Sequence, residues 1–583
     1  MKRTKIVCTI GPACEDERIL TEMIKAGMNV ARLNFSHGTH EDHRKKFALV
    51  KSVREKMNAP VAIMLDTKGP EYRIGTFQGG KIALKEGDFF TFTTEDVAGD
   101  RTKVSVSYKN LIEELQVGDK ILLNNGLLIF EVTEISGCEA RCIVLAGGEL
   151  SDRKSMSFPN KVLNQIYLSE QDKADILLGI ELGVDFIACS FVSQKQDVLD
   201  IRNFLKENGG EDIDLIAKIE NQEGVDNIDD ILQVVDGVMV ARGDLGVEIP
   251  MEDVPIVQKE IIAKCNALGK PVVTATQMLE SMITNYRATR AEANDIANSI
   301  FDGTDAIMLS GETASGAYPL EAVQTMARIA KRTEDAIDYV TVFKHKGIGA
   351  QVQMTDAISH ATVQIAQELE ANAIMSITES GYTARLVAKY RPKAHVLGVS
   401  PKEESLRRMS LYWGVTPLKG ENKASTDALI EASLKNALDA GLIKKGDSLV
   451  VTAGMNVGKV GSTNLIQVVN VGQKIVPGQG IGKKAASGIV LRVEKKADLE
   501  QFKPGMILAV AALENEMGTC AAQSGGIIAE EGGFTSPAAI IGINYGIPVI
   551  VGAKGAMEAL ETGDLVTLDV TTGSVYAGKI NVK

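Results

Sequence analysis

Cysteine is scarce in this sequence, and its seven cysteines include no Cys-x-x-Cys pair. The closest two, Cys138 and Cys142, are more typical of neighbouring positions in a small β-structure than of a metal clip. An odd and scattered set of this kind indicates reduced thiols in the cytosol rather than a disulfide framework.

Long apolar runs are missing as well. The basic N-terminus leads into an apolar segment that stops at Gly11-Pro12, which is too short for the core of a signal peptide. No uninterrupted apolar stretch of the sequence is long enough to cross a bilayer. We therefore expect a cytoplasmic protein with no membrane partner.

The sequence also lacks a basic excess, since its net charge is −13 at pH 7. This balance argues against a nucleic-acid partner that is held on a broad basic face. Phosphate groups would instead bind in local pockets of Lys, Arg and backbone N–H groups. The 583 residues exceed what one hydrophobic core supports, and they predict three or four globular domains.

Short apolar segments followed by helical patterns recur along the first part of the chain. Each segment is nearly continuous in apolar residues, as expected for parallel strands that are buried on both faces. A helix with one buried face is predicted over Val254–Leu268. Eight such units indicate an α/β protein with a closed (β/α)8 TIM barrel rather than an open sheet. The predicted strands are Lys5–Ile10, Met28–Phe35, Val61–Thr67, Val184–Phe191, Asp214–Glu220, Gly237–Gly243, Pro271–Thr276 and Ala306–Gly311.

Most of these strands end in charged or hydroxyl side chains. In a barrel of this type the carboxyl ends of the strands converge on one rim, where active sites lie. Loops that are merely polar remain the alternative explanation. The strand ends carry Arg32, Asn34, Ser36, Asp66, Thr67, Ser190, Lys218, Glu220, Arg242, Gly243, Asp244, Thr276, Gln277, Ser310 and Glu312.

Three further domains are predicted around or after the barrel. Alternating segments between Gly69 and about Asn160 predict a small β-barrel inserted at the rim, where it would act as a lid that expels water. After about Tyr339 the pattern restarts as an open α/β domain, and a last domain of about a hundred residues follows Pro477. The predicted divisions are residues 1–68 and 160–340 for the barrel, 69–159 for the lid, 341–472 for the α/β domain and 473–583 for the last domain.

Lys218 and Glu220 end one strand and lie on the same face, because side chains alternate along a strand. The neighbouring strand brings Asp244 beside them, and Gly243 lets a ligand approach the backbone closely. Two carboxylates with room for substrate oxygens and water suit Mg²⁺. A lysine beside them would carry positive charge toward a transferring phosphoryl group. The alternative is an internal Lys–Glu salt bridge at the barrel mouth.

A second group of oxygen-bearing residues follows two adjacent strands. Sites with only oxygen ligands hold hard cations. Here the stretches Asn34–Gly38 and Asp66–Glu71 provide a carboxylate, an amide, hydroxyls and several carbonyls. His37 and Arg73 lie at the edge where a nucleotide would enter, although each is also explained as a solvated side chain.

In the α/β domain, residues Thr378 to Thr383 join a strand to a helix. Hydroxyl groups, a glycine and a helix N-terminus predict a phosphate pocket at this loop. The pocket residues would be Thr378, Ser380, Gly381 and Thr383. Ordinary helix capping by serine and threonine is the alternative.

Six motifs of the chain resemble those of the pyruvate kinase family. They occur in the family's order, and the resemblance runs from the N-terminus to about residue 475. The motifs are Arg32-Leu33-Asn34-Phe35-Ser36-His37-Gly38, Leu65-Asp66-Thr67-Lys68-Gly69-Pro70-Glu71, Ala217-Lys218-Ile219-Glu220-Asn221, Met239-Val240-Ala241-Arg242-Gly243-Asp244-Leu245-Gly246, Thr274-Ala275-Thr276-Gln277-Met278-Leu279 and Met308-Leu309-Ser310-Gly311-Glu312-Thr313.

The resemblance implies transfer of the phosphoryl group of phosphoenolpyruvate to ADP, the last step of glycolysis, with Mg²⁺ and K⁺ as cofactors. Glu71 matches family members that need K⁺, whereas members with lysine there do not. The implied Mg²⁺ ligands are Glu220 and Asp244, and the implied K⁺ ligands are Asn34, Ser36, Asp66 and Thr67. Phosphoenolpyruvate would be positioned by Arg32, Lys218, Gly243, Asp244 and Thr276, and nucleotide phosphates by Asn34, His37 and Arg73. Lys218, with Arg32, Thr276 and Ser310, would carry the chemistry.

Several positions depart from the family pattern. Asn124 and Asn125 replace paired aspartates in the lid, and Gln171 replaces a lysine that touches the nucleotide phosphate. We expect these changes to affect lid closure and ADP affinity rather than the reaction. Cys14 replaces a serine, and we interpret it as a small residue without a chemical role rather than as a reactive thiol. Two other functions remain open: a Mg²⁺-dependent lyase acting through a pyruvate enolate, and a catalytically weak sugar-phosphate sensor.

The last domain resembles the swivelling phosphohistidine domain of phosphoenolpyruvate-utilising enzymes, in the stretch Glu531 to Ala539 and beyond. Pro537 occupies the position of the phosphorylated histidine, which excludes phosphate relay by that route. A structural or assembly role is therefore expected for this domain. The resemblance further implies a sugar-phosphate effector at the Thr378–Thr383 loop and a homotetramer.

Overall fold

The computed structural model describes residues 2–124, 126–159, 161, 163, 166–347, 353–423, 425–454, 463–471 and 474–579. The chain forms two compact units, of which the first comprises residues 1–349 with Ala388–Arg391 and Glu403–Pro417. The second comprises the remainder from residue 350 onward. Among the described residues, no helix is both long and apolar enough to span a membrane.

Eight parallel strands close the predicted barrel, in which each strand pairs with its neighbours in chain order. Every residue of most of these strands is buried, because the helices cover the outer face while the strands pack on each other inside. The observed strands are one to four residues shorter than predicted. They are β1 (Lys5–Thr9), β2 (Val30–Asn34), β3 (Ala62–Asp66), β4 (Phe186–Cys189), β5 (Asp214–Ile219), β6 (Gly237–Ala241), β7 (Val272–Ala275) and β8 (Ala306–Leu309).

Helices follow the strands and pack an apolar face on the barrel. Local sequence sets their ends: Thr39 and Asp42 form a capping box at one N-terminus, as Thr289 and Glu292 do at another. The helix Val254–Leu268 has the predicted bounds. The others are Glu17–Ala26, His40–Lys56, Glu170–Leu182, Lys195–Glu207, Gln222–Asp226, Ile228–Val234, Arg242–Glu248, Arg290–Asp302, Gly311–Ala314, Pro319–Glu334, Tyr339–His345 and Glu403–Met409, with a 3-10 turn at Glu280–Ile283.

The inserted segment between β3 and β4 forms mostly antiparallel β-structure around its own apolar core, with one parallel pair between Phe89–Thr93 and Lys103–Ser105. It leaves the barrel at Gly69, where φ is +68° and a Cβ would lie 2.8 Å from the Ser190 carbonyl oxygen, so only glycine fits without strain. Its strands are Tyr72–Arg73, Lys81–Leu84, Phe89–Thr93, Lys103–Ser105, Lys120–Leu123, Leu128–Ser136, Glu139–Ala146, Gly148–Ser151 and Ser155–Ser157, and its helix is Leu111–Glu114.

A five-stranded sheet forms the predicted open α/β domain. Its central strand, Ala373–Ile377, pairs in parallel with His395–Ser400 and Ser448–Gly454. The edge strands are Val415–Lys419 and Thr463–Asn470, and the helices are Met354–Glu368, Tyr382–Lys389 and Thr426–Asp439.

The last part of the chain forms an eight-stranded sheet with two apolar cores. The fold predicted for the whole chain is therefore confirmed: a closed barrel, an open α/β sheet and a further C-terminal domain. The last strands are Lys474–Pro477, Gln479–Ile481, Ala486–Val493, Ile507–Val510, Gly526–Ala529, Val549–Val551, Leu565–Asp569 and Ser574–Ala577. The helices are Gly518–Ala522, Pro537–Tyr545 and Ala556–Ala559, with 3-10 turns at Lys496–Gln501 and Asn515–Met517.

Replacing Phe92 by alanine should loosen the inserted β-structure. Phe92 is fully buried, and its ring centroid lies 5.4 Å from that of Phe90 and 5.2 Å from that of Phe130. Loss of this contact should destabilise the segment by about 3–5 kcal/mol. Hydrogen exchange of peptides from residues 69–159 measures the effect, and Phe89→Ala is the control, since Phe89 is on the same strand but half exposed. Equal exchange rates in the two variants would contradict this account.

Candidate active site

A buried lysine ammonium lies at the centre of the barrel mouth. The Nζ atom of Lys218 is 3.1 Å from Oδ1 of Asp66, 3.0 Å from Oε1 of Glu220 and 2.7 Å from Oγ of Ser190. Burial alone would lower the pKa of Lys218, but the charges of Asp66 and Glu220 raise it above its ordinary value. The ammonium is therefore charged and fixed by three strands.

Asp66 ends β3 and is almost completely buried. Its second oxygen, Oδ2, accepts a hydrogen bond from Nε of Arg32 at 2.5 Å, and Nη1 of Arg32 also donates to the Thr9 hydroxyl at 2.9 Å. Burial favours the neutral acid, but Arg32 and Lys218 outweigh it and hold the pKa of Asp66 below its usual value. Arg32, Asp66 and Lys218 thus form one charged network.

Glu220 follows β5 directly and is buried beside Lys218, so the predicted shared face is present. The internal Lys–Glu salt bridge, stated above as the alternative, is present as well. Burial raises the pKa of Glu220, and the charge of Asp244 raises it further. A cation between the two carboxylates would relieve this repulsion.

The sequence predicted that Asp244 lies at the end of a strand, and this is wrong. Strand β6 stops at Ala241, and a short helix begins at Arg242. Asp244 lies in the first turn of that helix, Arg242–Glu248, and is exposed. Among the described residues, no cluster of three or more His, Cys, Asp or Glu is arranged to hold a metal ion. Two carboxylates still fit Mg²⁺, which usually keeps water and substrate oxygens as its other ligands.

Thr276 follows β7 in a strained backbone conformation, with φ at +67° for Thr276 and +54° for Gln277. Its Oγ1 accepts a hydrogen bond from the Gly243 N–H at 2.7 Å, and its carbonyl accepts one from Nη2 of Arg242, also at 2.7 Å. A side chain at Gly243 would stand 3.4 Å from the Thr276 hydroxyl. The ends of β6 and β7 are thereby joined through Arg242, Gly243 and Thr276.

Ser310 follows β8, and its N–H donates to Oε2 of Glu312 at 2.7 Å. Glu312 is almost completely buried, and its other oxygen accepts from the Leu279 N–H at 3.0 Å. Glu312 was grouped with the rim residues but given no role. Its contacts identify it as the side chain that fixes the turn carrying Ser310.

The predicted oxygen ligands for a monovalent cation occupy the ends of β2 and β3. Asn34 stands opposite Asp66 in the parallel register. Its side-chain oxygen, Oδ1, accepts a hydrogen bond from the Ser36 N–H at 3.1 Å. Thr67 directly follows β3, and its Oγ1 accepts the Ser190 N–H at 3.1 Å. The oxygen-only composition fits a hard cation, although Asp66 is already shared with two protein cations.

The nucleotide-edge residues are less tightly held. Glu71 and Arg73 form an ion pair, with Oε1 and Nη2 2.7 Å apart. His37 is exposed, and its backbone carbonyl accepts a hydrogen bond from the His43 ring at 3.0 Å. Thus Arg73 is oriented by Glu71, while the His37 side chain points to solvent.

Two of the departures from the family pattern are placed by the structure. Gln171 donates to Oδ1 of Asp175 at 2.8 Å, and Nε2 of His40 lies 2.6 Å from the same oxygen. Asn124 adopts a left-handed conformation with φ at +53°, and Asn125 lies outside the described residues. Gln171 is therefore held against its own helix by Asp175.

The Thr378–Thr383 loop is held by hydrogen bonds of its own hydroxyl groups. The Gly381 N–H donates to the Thr378 hydroxyl at 3.1 Å, and the hydroxyls of Thr383 and Thr463 are 2.6 Å apart. Gly381 has φ at +85°, and Ser380 is half-buried. Two hydroxyls and the Gly381 N–H of the predicted pocket are thus used within the protein, as the capping alternative would require.

Sequence reasoning assigned no role to Ser190 and Phe191, which follow β4. Ser190 contacts Lys218, Asp66 and Thr67, and the Phe191 N–H donates to Oε2 of Glu220 at 2.6 Å. The sequence places Ser190 at the end of a predicted barrel strand, and that position is the sign from which a role in the site could have been predicted. The positive φ of Phe191, +56°, has no counterpart in the sequence.

A closed α/β barrel whose mouth gathers a buried lysine, paired carboxylates and strained strand ends has the architecture of a barrel enzyme with its site at the carboxyl ends of the strands. Three family descriptions match the chain. Residues 1–323 match "Pyruvate kinase, barrel domain", residues 356–469 match "Pyruvate kinase, alpha/beta domain", and residues 502–573 match "PEP-utilising enzyme, mobile domain".

Known relatives agree with these matches. The chain is 48% identical to a pyruvate kinase of Bacillus licheniformis and 47% identical to one of Geobacillus stearothermophilus, in each case over the whole of both chains. A crystal structure of a pyruvate kinase from Cryptosporidium parvum superposes with a TM-score of 0.77 at 40% identity, covering 81% of this chain and 96% of the other. The chain belongs to the pyruvate kinase family.

Cys14 should behave as an inert thiol. It is completely buried, and burial raises the pKa of its thiol to about 11, so the reactive thiolate is almost absent at neutral pH. Iodoacetamide at neutral pH should leave Cys14 unmodified in the native protein and modify it after unfolding. Mass spectrometry of the peptide measures this, with the half-buried Cys520 as the comparison. Rapid native alkylation of Cys14 would contradict the assignment.

Proposed function

We propose that the chain transfers the phosphoryl group of phosphoenolpyruvate to ADP, giving pyruvate and ATP. The observation that carries this proposal is the ammonium of Lys218, buried at the rim between Asp66 and Glu220. A fixed cation at this place can stabilise the negative charge of a phosphoryl group in transfer, at no cost of reorganisation. Family membership supports the same reaction.

The substrate would be positioned by residues from several strands. Arg32 and Lys218 supply positive charge for the phosphate and carboxylate of phosphoenolpyruvate. Gly243 and Thr276, joined by their hydrogen bond, offer a backbone surface that a small substrate can approach. Ser310 lies at the neighbouring strand end and supports the region where carbon is protonated. ADP phosphates would contact Asn34, His37 and Arg73.

Mg²⁺ would be held by Glu220 and Asp244, whose like charges favour a cation between them. When bound, it would neutralise charge on the phosphoryl oxygens. K⁺ would be held by Asn34, Ser36, Asp66 and Thr67. Glu71 is assigned as the determinant of K⁺ dependence, and it acts here beside Arg73, with which it forms an ion pair.

We extend the proposal to the other parts of the chain. Residues 69–159 would form the lid, 1–68 with 160–340 the catalytic barrel, 341–472 the regulatory domain and 473–583 a domain without phosphate relay. A sugar phosphate would bind at Ser380 and the backbone of the Thr378–Thr383 loop. A homotetramer in the cytoplasm is the assembly that the family leads us to expect.

Phosphoryl transfer is favoured over the lyase and the sensor by the family membership and by the intact Lys218 network. One assay separates the three functions. The protein is mixed with phosphoenolpyruvate, ADP, Mg²⁺ and K⁺, and pyruvate and ATP are followed. ADP-dependent formation of both supports the kinase, cleavage of a hydroxy acid without ADP supports the lyase, and binding without turnover supports the sensor.

Replacing Lys218 by methionine should lower kcat by about 10²–10³-fold, because it removes charge stabilisation that acts on the transferring group. The KM for phosphoenolpyruvate should change much less. Lys195→Ala is the control, since this lysine is the first residue of the helix Lys195–Glu207 and donates to Oε1 of Gln233 at 2.9 Å rather than to a candidate site residue. A Lys218→Met enzyme with normal kcat would refute the assigned role.

Replacing K⁺ by Na⁺ should lower the rate by about tenfold or more, which corresponds to about 1.4 kcal/mol of lost interaction. Na⁺ is smaller and would fit the cradle of strand-end oxygens poorly. The matched variant is Glu71→Lys, which places a fixed cation near the cradle and should make the rate insensitive to the salt. Steady-state rates in the two salts measure both effects. A wild-type rate that is the same in Na⁺ and K⁺ contradicts the role of Glu71.

A further inference from the structure

The two residues that follow β4, Ser190 and Phe191, contact three charged groups of the barrel mouth: Lys218, Asp66 and Glu220. The hydroxyl of Ser190 lies 2.7 Å from Nζ of Lys218, 3.2 Å from Oδ1 of Asp66 and 2.6 Å from the Thr67 carbonyl oxygen. Ser190 is almost completely buried. Its hydroxyl is therefore part of the charged network rather than a solvated group.

The direction of these hydrogen bonds follows from the number of protons. A serine hydroxyl has one proton to donate, and a backbone carbonyl can only accept. The short contact with the Thr67 carbonyl uses the proton, so the Ser190 oxygen accepts from the Lys218 ammonium. Two hydrogen bonds thus run in the same direction, from the Lys218 ammonium to the Ser190 hydroxyl and from that hydroxyl to the Thr67 carbonyl oxygen.

The backbone of the same turn holds the other partners. The Ser190 N–H donates to Oγ1 of Thr67 at 3.1 Å, and the Phe191 N–H donates to Oε2 of Glu220 at 2.6 Å. Phe191 adopts a left-handed conformation with φ at +56°, which is unfavourable for a residue other than glycine. In this turn the Phe191 N–H donates to Glu220 while the Ser190 hydroxyl contacts Lys218.

We propose that Ser190 is a positioning residue that fixes the ammonium of Lys218 and couples it to the monovalent-cation cradle through Thr67. The proposal rests on the function proposed above, in which Lys218 faces the transferring phosphoryl group and Thr67 is a cation ligand. When bound at Thr67 and Asp66, a cation would draw electron density from both residues. Because hydrogen-bonded groups polarise one another, this change would be passed through the Ser190 hydroxyl to Lys218.

The test compares Ser190→Ala with Ser190→Thr, which keeps the hydroxyl, and with the control Ser193→Ala. Ser193 lies three residues further along, and its hydroxyl contacts Asn221 and the Phe191 carbonyl rather than Lys218. For each enzyme, kcat and the KM for phosphoenolpyruvate are measured over a range of K⁺ concentrations. Circular dichroism and thermal unfolding report whether each variant is folded.

Ser190→Ala should lower kcat by about 10- to 100-fold, the scale of one hydrogen bond to a charged group. The KM should change much less, and Ser190→Thr should recover most of the loss. The fold loss should be larger at saturating K⁺ than at low K⁺, because the variant cannot transmit the effect of the cation. Ser193→Ala should stay within about twofold of the wild type.

Each other result has a definite meaning. If the wild type forms no pyruvate from phosphoenolpyruvate and ADP, the proposed function fails. If the wild type is active but Ser190→Ala has a normal kcat, or Ser190→Thr fails to recover it, the positioning role is wrong. An equal fold loss at all K⁺ concentrations overturns the coupling to the cation cradle. If Ser190→Ala does not fold, Ser190→Cys replaces it, and a normal kcat in that variant overturns the proposal.

Discussion

Pairing of buried charge is the constraint on which the barrel mouth depends. Asp66 is almost without solvent, so its carboxylate is tolerated only because Arg32 and Lys218 pair with its two oxygens. Removing either cation would leave one oxygen of this buried carboxylate without its charged partner, at a place that little water can reach. The lysine in turn needs Glu220 and Ser190 for its remaining protons. The network is therefore rigid as a whole, and a cation that stabilises a transition state must be held rigidly in place.

The register of the parallel barrel strands contributes to this rigidity. Parallel pairing sets Asn34 beside Asp66 and Lys218 beside Met239, so that groups far apart in sequence meet at one level of the mouth. Two of the turns that follow the strands carry strained residues, at Phe191 and at Thr276 with Gln277. Such strain persists only where the surrounding structure overdetermines it, and here each strained turn provides or orients a hydrogen bond to a candidate site residue.

Much of this arrangement could be predicted because its causes are local. Continuous apolar segments identified the barrel strands, and the buried face of Val254–Leu268 defined a helix with its observed bounds. Alternation along one strand placed Lys218 with Glu220. The start of a helix at Arg242 was not predicted: the apolar run and β6 both end at Ala241, but the predicted strand was extended over Arg242 and Gly243. The positive φ of Phe191 and the partners of Ser190 depend on other strands, which no local pattern encodes.

In the last domain, a proline stands at the start of a helix, where its chemistry suits the backbone. Pro537 stands at the first position of the helix Pro537–Tyr545, and Ser536 caps that helix by accepting the Ala539 N–H at 3.3 Å. Proline lacks a donor, but the first N–H of a helix has no partner within the helix, so the substitution costs nothing there and fixes a helical φ. The resemblance stated above implies that a phosphorylated histidine falls at this position in related enzymes, and a proline there would remove the nucleophile while it suits the start of the helix.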